Sequence, residues 1–414
     1  MTDLRRTIDA IWRIESAKLV AGLARMVRDV GLAEELAQDA IVAALEAWPA
    51  SGVPENPGAW LTATAKRRAI DVLRRHAMLA RKHQVMGAGE PDRAFPELEA
   101  MLDDPIGDDR LRLLFISCHP VLSVEARVAL TLRLLGGLTT EEIARAFLAP
   151  EPTIAQRIVR AKRALADAHV PFELPPAPEL VERLAPVLEV LYLIFNEGYA
   201  ATAGDDWMRP ALCEEALRLA RIVAELAPSE PEVHGLVGLM EIQASRLGAR
   251  TGPSGEPVLL LDQDRVRWDR LLIHRGLVAL ERAERLGRER GYYFLQAAIA
   301  ACHARAATAD ATDWKRIVSL YAELVEVAPT PVVELNRAMA VAMADGPAAG
   351  LAIADALREE PELARYHLLP SVRGDLLAKL GRRDEARAEL VRAASLTKNV
   401  REREVLLARA RSLG

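Results

Sequence analysis

Aromatic residues are scarce in this sequence: phenylalanine, tryptophan and tyrosine make up 4% of it, although 51% of the residues are hydrophobic. Most of the apolar content is therefore alanine and leucine, which are strong helix formers. Also missing is any run that alternates apolar and polar residues with a period of two, the pattern of a half-buried strand. These two absences argue against a sheet-based fold, and we predict an all-α protein.

Cysteine and long apolar runs are scarce as well. Cys118, Cys213 and Cys302 lie far apart without CxxC spacing, which favours a reducing, cytoplasmic compartment. Two of them precede a histidine, but neighbouring helix positions point about 100° apart, so we predict neither a metal site nor a cofactor. The N-terminus lacks the apolar core of a signal peptide, and no segment is long and apolar enough to span a membrane.

The net charge of −5 argues against a protein that simply coats nucleic acid, but the charge is unevenly distributed. Residues 1–85 form a helical block whose last predicted helix is basic. Residues 86–109 are acidic and rich in glycine and proline, as in a flexible linker. Residues 110–172 return to helical periodicity and end in a proline-dense stretch before residues 173–414. A chain of this length accommodates two or three such domains.

Residues 173–414 consist of one amphipathic helix after another. Turns such as "APTP" and "GRRDEA" separate these helices, and small residues are placed where neighbouring helices would pack. The pattern resembles tetratricopeptide (TPR) repeats, although the spacing is irregular and the repeat signature is incomplete. We therefore expect a helical-hairpin, TPR-like domain with degenerate repeats.

The stretch "GLTTEEIARAFLAPEPTIAQRIVRAKRAL", residues 137–165, predicts two short helices with a break at Ala149 and Pro150. Thr139 and Glu142 have the spacing of a capping box at the start of the first helix. The second helix exposes hydroxyl, amide and cationic groups that can donate to base edges and phosphates. Alone, the stretch fits a DNA-reading helix-turn-helix and an ordinary helix pair with a solvated basic face equally well.

A second basic helix, "WLTATAKRRAIDVLRR", follows the helix-breaking loop "SGVPENPGAW". Together with the helix "AEELAQDAIVAALEAW" before it, the acidic linker and the helix-turn-helix, it resembles an extracytoplasmic-function (ECF) sigma factor. These small bacterial sigma factors consist of a σ2 and a σ4 domain. The resemblance covers roughly the first 170 residues and involves three motifs in the family's order. Arg67 and Thr64 stand where the family's −10 helix carries asparagine and isoleucine.

The resemblance implies promoter-specific initiation of transcription, with no bond-making chemistry in this chain. The implied partners are promoter DNA and core RNA polymerase, through its β′ and β subunits. Residues 32–48 would dock on polymerase, and the contacts implied there are Asp39, Val42, Leu45 and Trp48. The implied contacts to the −10 element are Asn56, Trp60, Thr64, Arg67, Arg68, Asp71, Arg74 and Arg75. Those implied for the −35 major groove are Thr153, Gln156, Arg157, Arg160, Lys162 and Arg163.

Most members of the family end after σ4, and this chain resembles the subset with a long TPR-like extension. Two polar stretches in it hold candidate interdomain or regulatory residues: Asn196, Glu197, Tyr199, Asp262, Asp264, Arg265, Arg267 and Trp268. They fit three interpretations: helix caps and ion pairs, contacts with σ2 or σ4, or the lining of a pocket for a protein or small-molecule partner. We expect the extension to regulate activity, either by masking the DNA-reading faces or by supporting polymerase binding.

Two other functions stay open on the sequence alone. One is a TPR-type interaction scaffold whose N-terminal half is a helical adaptor without DNA contact. The other is a stand-alone, dimeric helix-turn-helix regulator, which would need a symmetric operator and would leave the −10-like helix without a purpose. Two of the implied contacts have a structural alternative: Trp60 also fits a core position, and Asp39 also fits an ordinary surface position.

Overall fold

The computed structural model describes residues 2–84, 107–147, 149–175, 177–201, 203–204, 207–253, 255–287 and 290–413. Within these ranges the chain is almost entirely helical, which confirms the predicted all-α class. Its contacts divide it into two compact units, Met1–Val190 and Leu191–Gly414. Most of the predicted linker, residues 86–106, lies outside the described ranges. None of the described helices is both long and apolar enough to cross a membrane.

The first unit is built from helices of about two to eight turns. They are α1 (Thr2–Val27), α2 (Val30–Ser51), α3 (Pro57–Gln84), α4 (Gly107–Ser117), α5 (Val124–Leu134), α6 (Thr140–Ala146), α7 (Glu151–Asp167) and α8 (Ala177–Tyr199). The last of these continues into the second unit, so the division falls inside a helix. The sequence instead pointed to the proline-dense stretch just before that helix.

Local capping chemistry sets the starts of α5 and α6. The Ser123 hydroxyl accepts a hydrogen bond from the Ala126 N–H at 3.4 Å and so caps the start of α5. The Thr139 N–H donates to Glu142 Oε2 at 2.8 Å, and the Glu142 N–H donates back to Thr139 Oγ1 at 3.1 Å. This reciprocal pair confirms the predicted capping box and fixes where the helix-turn-helix begins.

The helix-turn-helix pair, α6 and α7, is held together by an apolar face that both helices share. Ile143 and Ala144 contribute to it from α6, and Ile154, Ile158 and Leu165 contribute from α7. All five are buried, and the pair packs on α5 beneath it. The small side chain of Ala144 suits a position where two helices cross closely. This shared face orients the opposite side of α7 outward.

The helices α1, α2 and α3 pack on one another around fully buried side chains that include Leu23, Leu36 and Leu61. The same α1 also packs on α4, and α2 contacts α7. The three-helix block and the helix-turn-helix therefore belong to one compact unit, rather than to two separate bodies.

The second unit continues the helical pattern, and successive helices pack on one another as in a chain of hairpins. Its elements are β1 (Ala203–Gly204), α9 (Pro210–Leu226), α10 (Pro231–Ala244), α11 (Arg270–Leu286), α12 (Tyr292–Arg305), α13 (Trp314–Val327), α14 (Pro331–Asp345), α15 (Pro347–Ala356), α16 (Leu368–Lys379), α17 (Arg383–Leu396), β2 (Lys398–Asn399) and α18 (Val400–Arg411). Short 3₁₀ turns interrupt the long connection between α10 and α11.

A two-residue parallel ladder joins the beginning of the second unit to its end. β1 pairs with β2 through Ala203 opposite Lys398 and Gly204 opposite Asn399. The buried Asn399 side chain also donates from Nδ2 to the Ala201 carbonyl oxygen at 3.1 Å. The sequence did not predict this ladder, because strands of two residues are too short to show an alternating pattern.

Glycine allows α10 to approach its neighbours closely. A Cβ atom on Gly235 would lie 2.7 Å from the backbone nitrogen of Phe294, in the first turn of α12. On another face, a Cβ on Gly238 would lie 3.0 Å from the carbonyl oxygen of Gly276 in α11. Glycine is therefore needed at these two positions of α10, because backbone atoms of the neighbouring helices occupy the space that a side chain would fill.

We predict that Gly235→Val lowers the free energy of unfolding of the second unit by about 2 kcal/mol, because the added carbons overpack a backbone contact. Urea titration followed by circular dichroism measures the change. Gly248→Val is the matched control, since its Cβ would meet only the Arg267 carbonyl oxygen at 3.9 Å. Equal stability of the two variants would contradict the packing described for α10.

Candidate nucleic-acid interface

The outward side of α7 gathers the polar groups that the sequence assigned to DNA. Ile154, Ile158 and Leu165 turn inward, and four predicted contacts, Thr153, Gln156, Arg160 and Arg163, are exposed. Arg157 lies at the edge of this face and is half-buried. The helix therefore presents hydroxyl, amide and guanidinium donors over three turns, without using any of them in the core.

Lys162 differs from the other predicted contacts on α7. It lies nine residues after Thr153, which places it about 180° around the helix, on the far side from the exposed donors. There its ammonium forms an ion pair with Glu34 of α2. A contact between Lys162 and DNA would first require this ion pair to break.

Glu34 is the centre of a small charged cluster that sequence analysis missed. Its side chain is buried, with Arg133 Nε 2.6 Å from Oε1 and Gln38 Nε2 2.5 Å from the same oxygen. Burial disfavours the charged carboxylate, but Lys162 and Arg133 together outweigh this effect and hold the pKa of Glu34 below its ordinary value. The cluster ties α2 to both α5 and α7.

Other contacts strengthen the same junction. The second cation of the cluster, Arg133, also donates from Nη1 to the Leu138 carbonyl oxygen at 3.0 Å, just before the capping box. On α4, the buried Asp109 pairs with Arg25 of α1, with Oδ2 3.4 Å from Nε. Buried charges are expensive unless they are paired, so these pairs specify how the three-helix block and the helix-turn-helix meet.

The basic helix α3 carries most of the residues assigned to the −10 element. Arg67, Asp71, Arg74 and Arg75 are exposed, whereas Arg68 is half-buried. Arg68 Nη1 lies 3.1 Å from Asp39 Oδ2 on α2, so one predicted phosphate contact is paired with one predicted polymerase contact. The exposed residues of α3 thus form a basic face in which Asp71 is an acidic exception.

Two smaller residues of this set have local structural roles. The Asn56 side chain accepts a hydrogen bond from the Ala59 N–H at 3.0 Å, as a helix cap does at the start of α3. The Thr64 hydroxyl donates to the carbonyl oxygen of Trp60 at 2.9 Å, one turn earlier in the same helix. Their DNA contacts stay predictions, which these intrahelical bonds neither require nor exclude.

Two tryptophans assigned to different surfaces pack on each other. Trp48 and Trp60 meet edge to face, with ring centroids 5.4 Å apart. Trp48 is 1% exposed, so its prediction as a polymerase contact is wrong: the residue belongs to the core between α2 and α3. Trp60 is half-buried against it. Of the remaining polymerase contacts, Asp39, Val42 and Leu45 are all exposed on α2.

Several candidate regulatory residues of the second unit take part in its own structure. Glu197 is buried and pairs with Arg209, and Asp264 caps a 3₁₀ turn by accepting from the Val266 N–H at 2.9 Å. The buried Arg265 donates to the Ala306 carbonyl oxygen at 2.7 Å. Caps and buried hydrogen bonds therefore account for these three residues, the first of the interpretations left open by the sequence.

The other candidates divide between packing and exposure. The Tyr199 ring lies against Arg250, with the guanidinium carbon 3.6 Å from the ring centroid, and Trp268 is buried. Asn196 is half-buried in α8. Asp262 and Arg267 are exposed on the connection between α10 and α11. Sequence analysis missed Arg246 and Arg250 beside them, because nothing in the local pattern distinguishes these arginines from surface ones.

Three family models match successive parts of the chain. Residues 14–78 match Sigma-70 region 2, and residues 112–165 match Sigma-70 region 4. Residues 183–284 match a family of unknown function, DUF6596. The first match includes α2 and most of α3, and the second includes the helix-turn-helix. No solved structure matches the chain.

Similar whole proteins fall into two groups. An uncharacterized protein of Rhizobium meliloti (strain 1021), R00370, is 43% identical over 384 residues, which cover 92% of this chain and 90% of that protein. The probable ECF RNA polymerase sigma factor SigI of Mycobacterium tuberculosis (strain ATCC 25618 / H37Rv) is 27% identical over 174 residues, which cover 42% of this chain and 59% of SigI.

The ECF RNA polymerase sigma factor SigK of Mycobacterium ulcerans (strain Agy99) is 31% identical over 148 residues, which cover 34% of this chain and 75% of SigK. Sigma-70 region 2 and region 4 thus follow each other along the chain in helical segments, and the alignment covers 75% of the SigK sequence. The chain belongs to the extracytoplasmic-function family of sigma factors.

Proposed function

We propose that this sigma factor directs core RNA polymerase to promoters and starts transcription there. In this proposal α7 reads the −35 element, α3 engages the −10 element, and α2 docks on polymerase. Exposed Asp39, Val42 and Leu45 support the docking role, since two apolar side chains beside a carboxylate suit a partner surface better than solvent. The observation that carries the proposal is the outward face of α7.

Three exposed side chains on that face fit the major groove. Thr153, Gln156 and Arg160 follow one another at helical spacing from the first turn of α7 to its middle. The major groove is about 12 Å wide and admits one helix, and the N-terminal residues of a recognition helix contact base edges there. Because the apolar face of α7 is buried on the other side, the helix can enter the groove without disturbing the core.

The Glu34 cluster holds the helices assigned to the −35 and −10 elements too close together for both elements to be bound at once. The −35 and −10 elements are centred about 25 base pairs apart, which is roughly 85 Å of DNA at about 3.4 Å per base pair. In the structure α7, assigned to one element, is in direct contact with α2, which packs on the helix assigned to the other. Engaging both elements at once therefore requires the ion pair between Glu34 and Lys162 to open.

The second unit is proposed to control this activity. It makes up more than half of the chain and is continuous with the DNA-reading unit through α8. The similarity to R00370 spans 92% of the chain, so the extension belongs to an architecture that the two proteins share. Control takes one of two forms, masking of the DNA-reading faces or support of polymerase binding. A protein or small-molecule partner of the TPR-like unit would be its input.

We predict that Arg160→Ala reduces specific transcription about tenfold, because one bidentate base contact contributes about 1–3 kcal/mol of discrimination. The measurement is transcription by purified core polymerase with the purified variant, on a promoter selected with the wild-type protein from random sequences. Lys18→Ala is the control, since it also removes one exposed cation but lies on α1, outside the helix-turn-helix. Equal loss in both variants, or none in either, would count against base reading by α7.

Control by the extension predicts that a chain ending at Val190, the last residue of the first unit, differs from the full chain in reporter output at equal protein level. Higher output indicates masking, and lower output together with weaker binding to core polymerase indicates support. Immunoblotting and circular dichroism establish that the shortened chain accumulates and is helical. Unchanged output would remove the extension from the mechanism.

A further inference from the structure

The second unit contains a cavity of about 280 Å³ between α8, α10, α12, α13 and α14. The residue Leu260, from the long connection between α10 and α11, closes one side of it. Most of the lining is apolar or aromatic, and neither aspartate nor glutamate is among the residues that form it. Its charged or titratable side chains other than the tyrosines are Arg246 and His303.

Arg246 is a buried cation in the wall of this cavity. It is 7% exposed, its Nε is inaccessible, and that atom has no hydrogen-bond partner. In the part of the chain that the structure describes, no carboxylate forms an ion pair with this arginine. Its guanidinium carbon lies 5.7 Å from the ring centroid of Tyr199 and 5.8 Å from that of Trp268. A guanidinium stays charged at any physiological pH, so the burial of this one is costly.

The other buried arginines of the unit show how unusual this is. Arg250 and Arg265 donate to backbone carbonyl oxygens at 3.0 and 2.7 Å, and Arg373 pairs with Asp355 at 2.7 Å. Each of these cations thus has an acceptor within the protein. Among the described residues Arg246 has no such acceptor, and the cavity is the space from which one could reach its side chain.

Two more polar atoms on the cavity wall lack partners. Gln296 accepts from the Tyr192 hydroxyl at 2.9 Å through Oε1, which leaves its Nε2 donor buried and unpaired. His303 is buried with Nδ1 unpaired, and burial together with nearby Arg246 and Arg265 lowers its pKa to about 4. An anion placed beside Arg246 would therefore find an amide donor and no opposing negative charge.

We propose that this cavity binds a small organic monocarboxylate, with the carboxylate on Arg246 and an apolar or aromatic body against Leu239, Ile299 and Leu324. A planar guanidinium matches a carboxylate in both charge and geometry. A phosphate dianion fits less well, because the wall offers one fixed positive charge for two negative ones. The volume lies just below the range of about 300–1,000 Å³ that is usual for drug-sized ligands, so the ligand is small.

The length of the ligand's apolar part can vary. A second cavity of about 500 Å³ shares Leu260, His303, Tyr321 and Asn336 with the first, so the two adjoin. A longer acid can extend from Arg246 into this space. The site lies wholly within the second unit, so its occupancy is independent of whether the first unit reads promoters as proposed.

The test uses the full chain and pairs of probes that share the same apolar body and carry either a carboxylate or an uncharged amide. Isothermal titration compares 3-phenylpropionate with 3-phenylpropionamide, and hexanoate with hexanamide, for the wild type, Arg246→Met and Arg285→Met. Arg285 is an exposed arginine of α11 and serves as the control. We expect the wild type and Arg285→Met to bind at least one acid tenfold or more tightly than its amide. In Arg246→Met this preference disappears. No acid binding in the wild type, or a preference that survives Arg246→Met, would overturn the proposal.

A thermal melt without ligand separates binding from a structural role. If Arg246 serves a ligand, Arg246→Met removes an unpaired buried charge and leaves the melting temperature unchanged or raised. If Arg246 instead holds the unit together, the melting temperature falls in the variant, and that result also overturns the proposal.

Discussion

The arrangement of the first unit depends on one buried carboxylate. The Glu34 side chain forms ion pairs with Arg133, which lies 99 residues further along the chain, and with Lys162 of α7. Both cations lie on or beside the helix-turn-helix, whereas Glu34 lies on the helix proposed to dock on polymerase. Removing one partner of a buried pair typically costs 3–5 kcal/mol, so the closed arrangement is well specified. If the helices separate, water can solvate the Glu34 carboxylate, and water or DNA phosphates can take its place beside Arg133 and Lys162.

Two buried charges, Glu34 in the first unit and Arg246 in the second, differ in how they are paired. In the first, a carboxylate meets two cations, and the pairing closes the unit on itself. In the second, Arg246 meets aromatic rings and an uncharged cavity wall, and no carboxylate pairs with it in the described ranges. On the proposals above, the Glu34 contact opens when promoter DNA binds, and Arg246 receives its anion from a ligand. Control of a sigma factor by its own extension would use both.

Features set by neighbouring residues could be predicted from the sequence. The Thr139 and Glu142 capping box, the Ser123 cap and the joint apolar face of α6 and α7 follow from local spacing, and all are present. Trp48 was misplaced because helical periodicity does not say which neighbour will cover a face. The roles of Glu34 and Arg246 could not be predicted, because the residues that surround them come from distant parts of the chain. The same holds for the ladder between β1 and β2, whose strands lie almost 200 residues apart.

The opening of the first unit can be measured directly as a distance between α1 and α7. Probes at Lys18→Cys and at Ala168→Cys, at the C-terminal end of α7, are both exposed and outside the proposed contacts, and they suit this purpose once half-buried Cys302 is replaced by serine. A unit of about 190 residues has a radius of gyration of about 16 Å, so the two probes should lie within about 45 Å in the free protein. On core polymerase and promoter DNA we expect the distance to increase by tens of ångströms. An unchanged distance in a transcriptionally active complex would contradict the requirement that the Glu34 cluster opens.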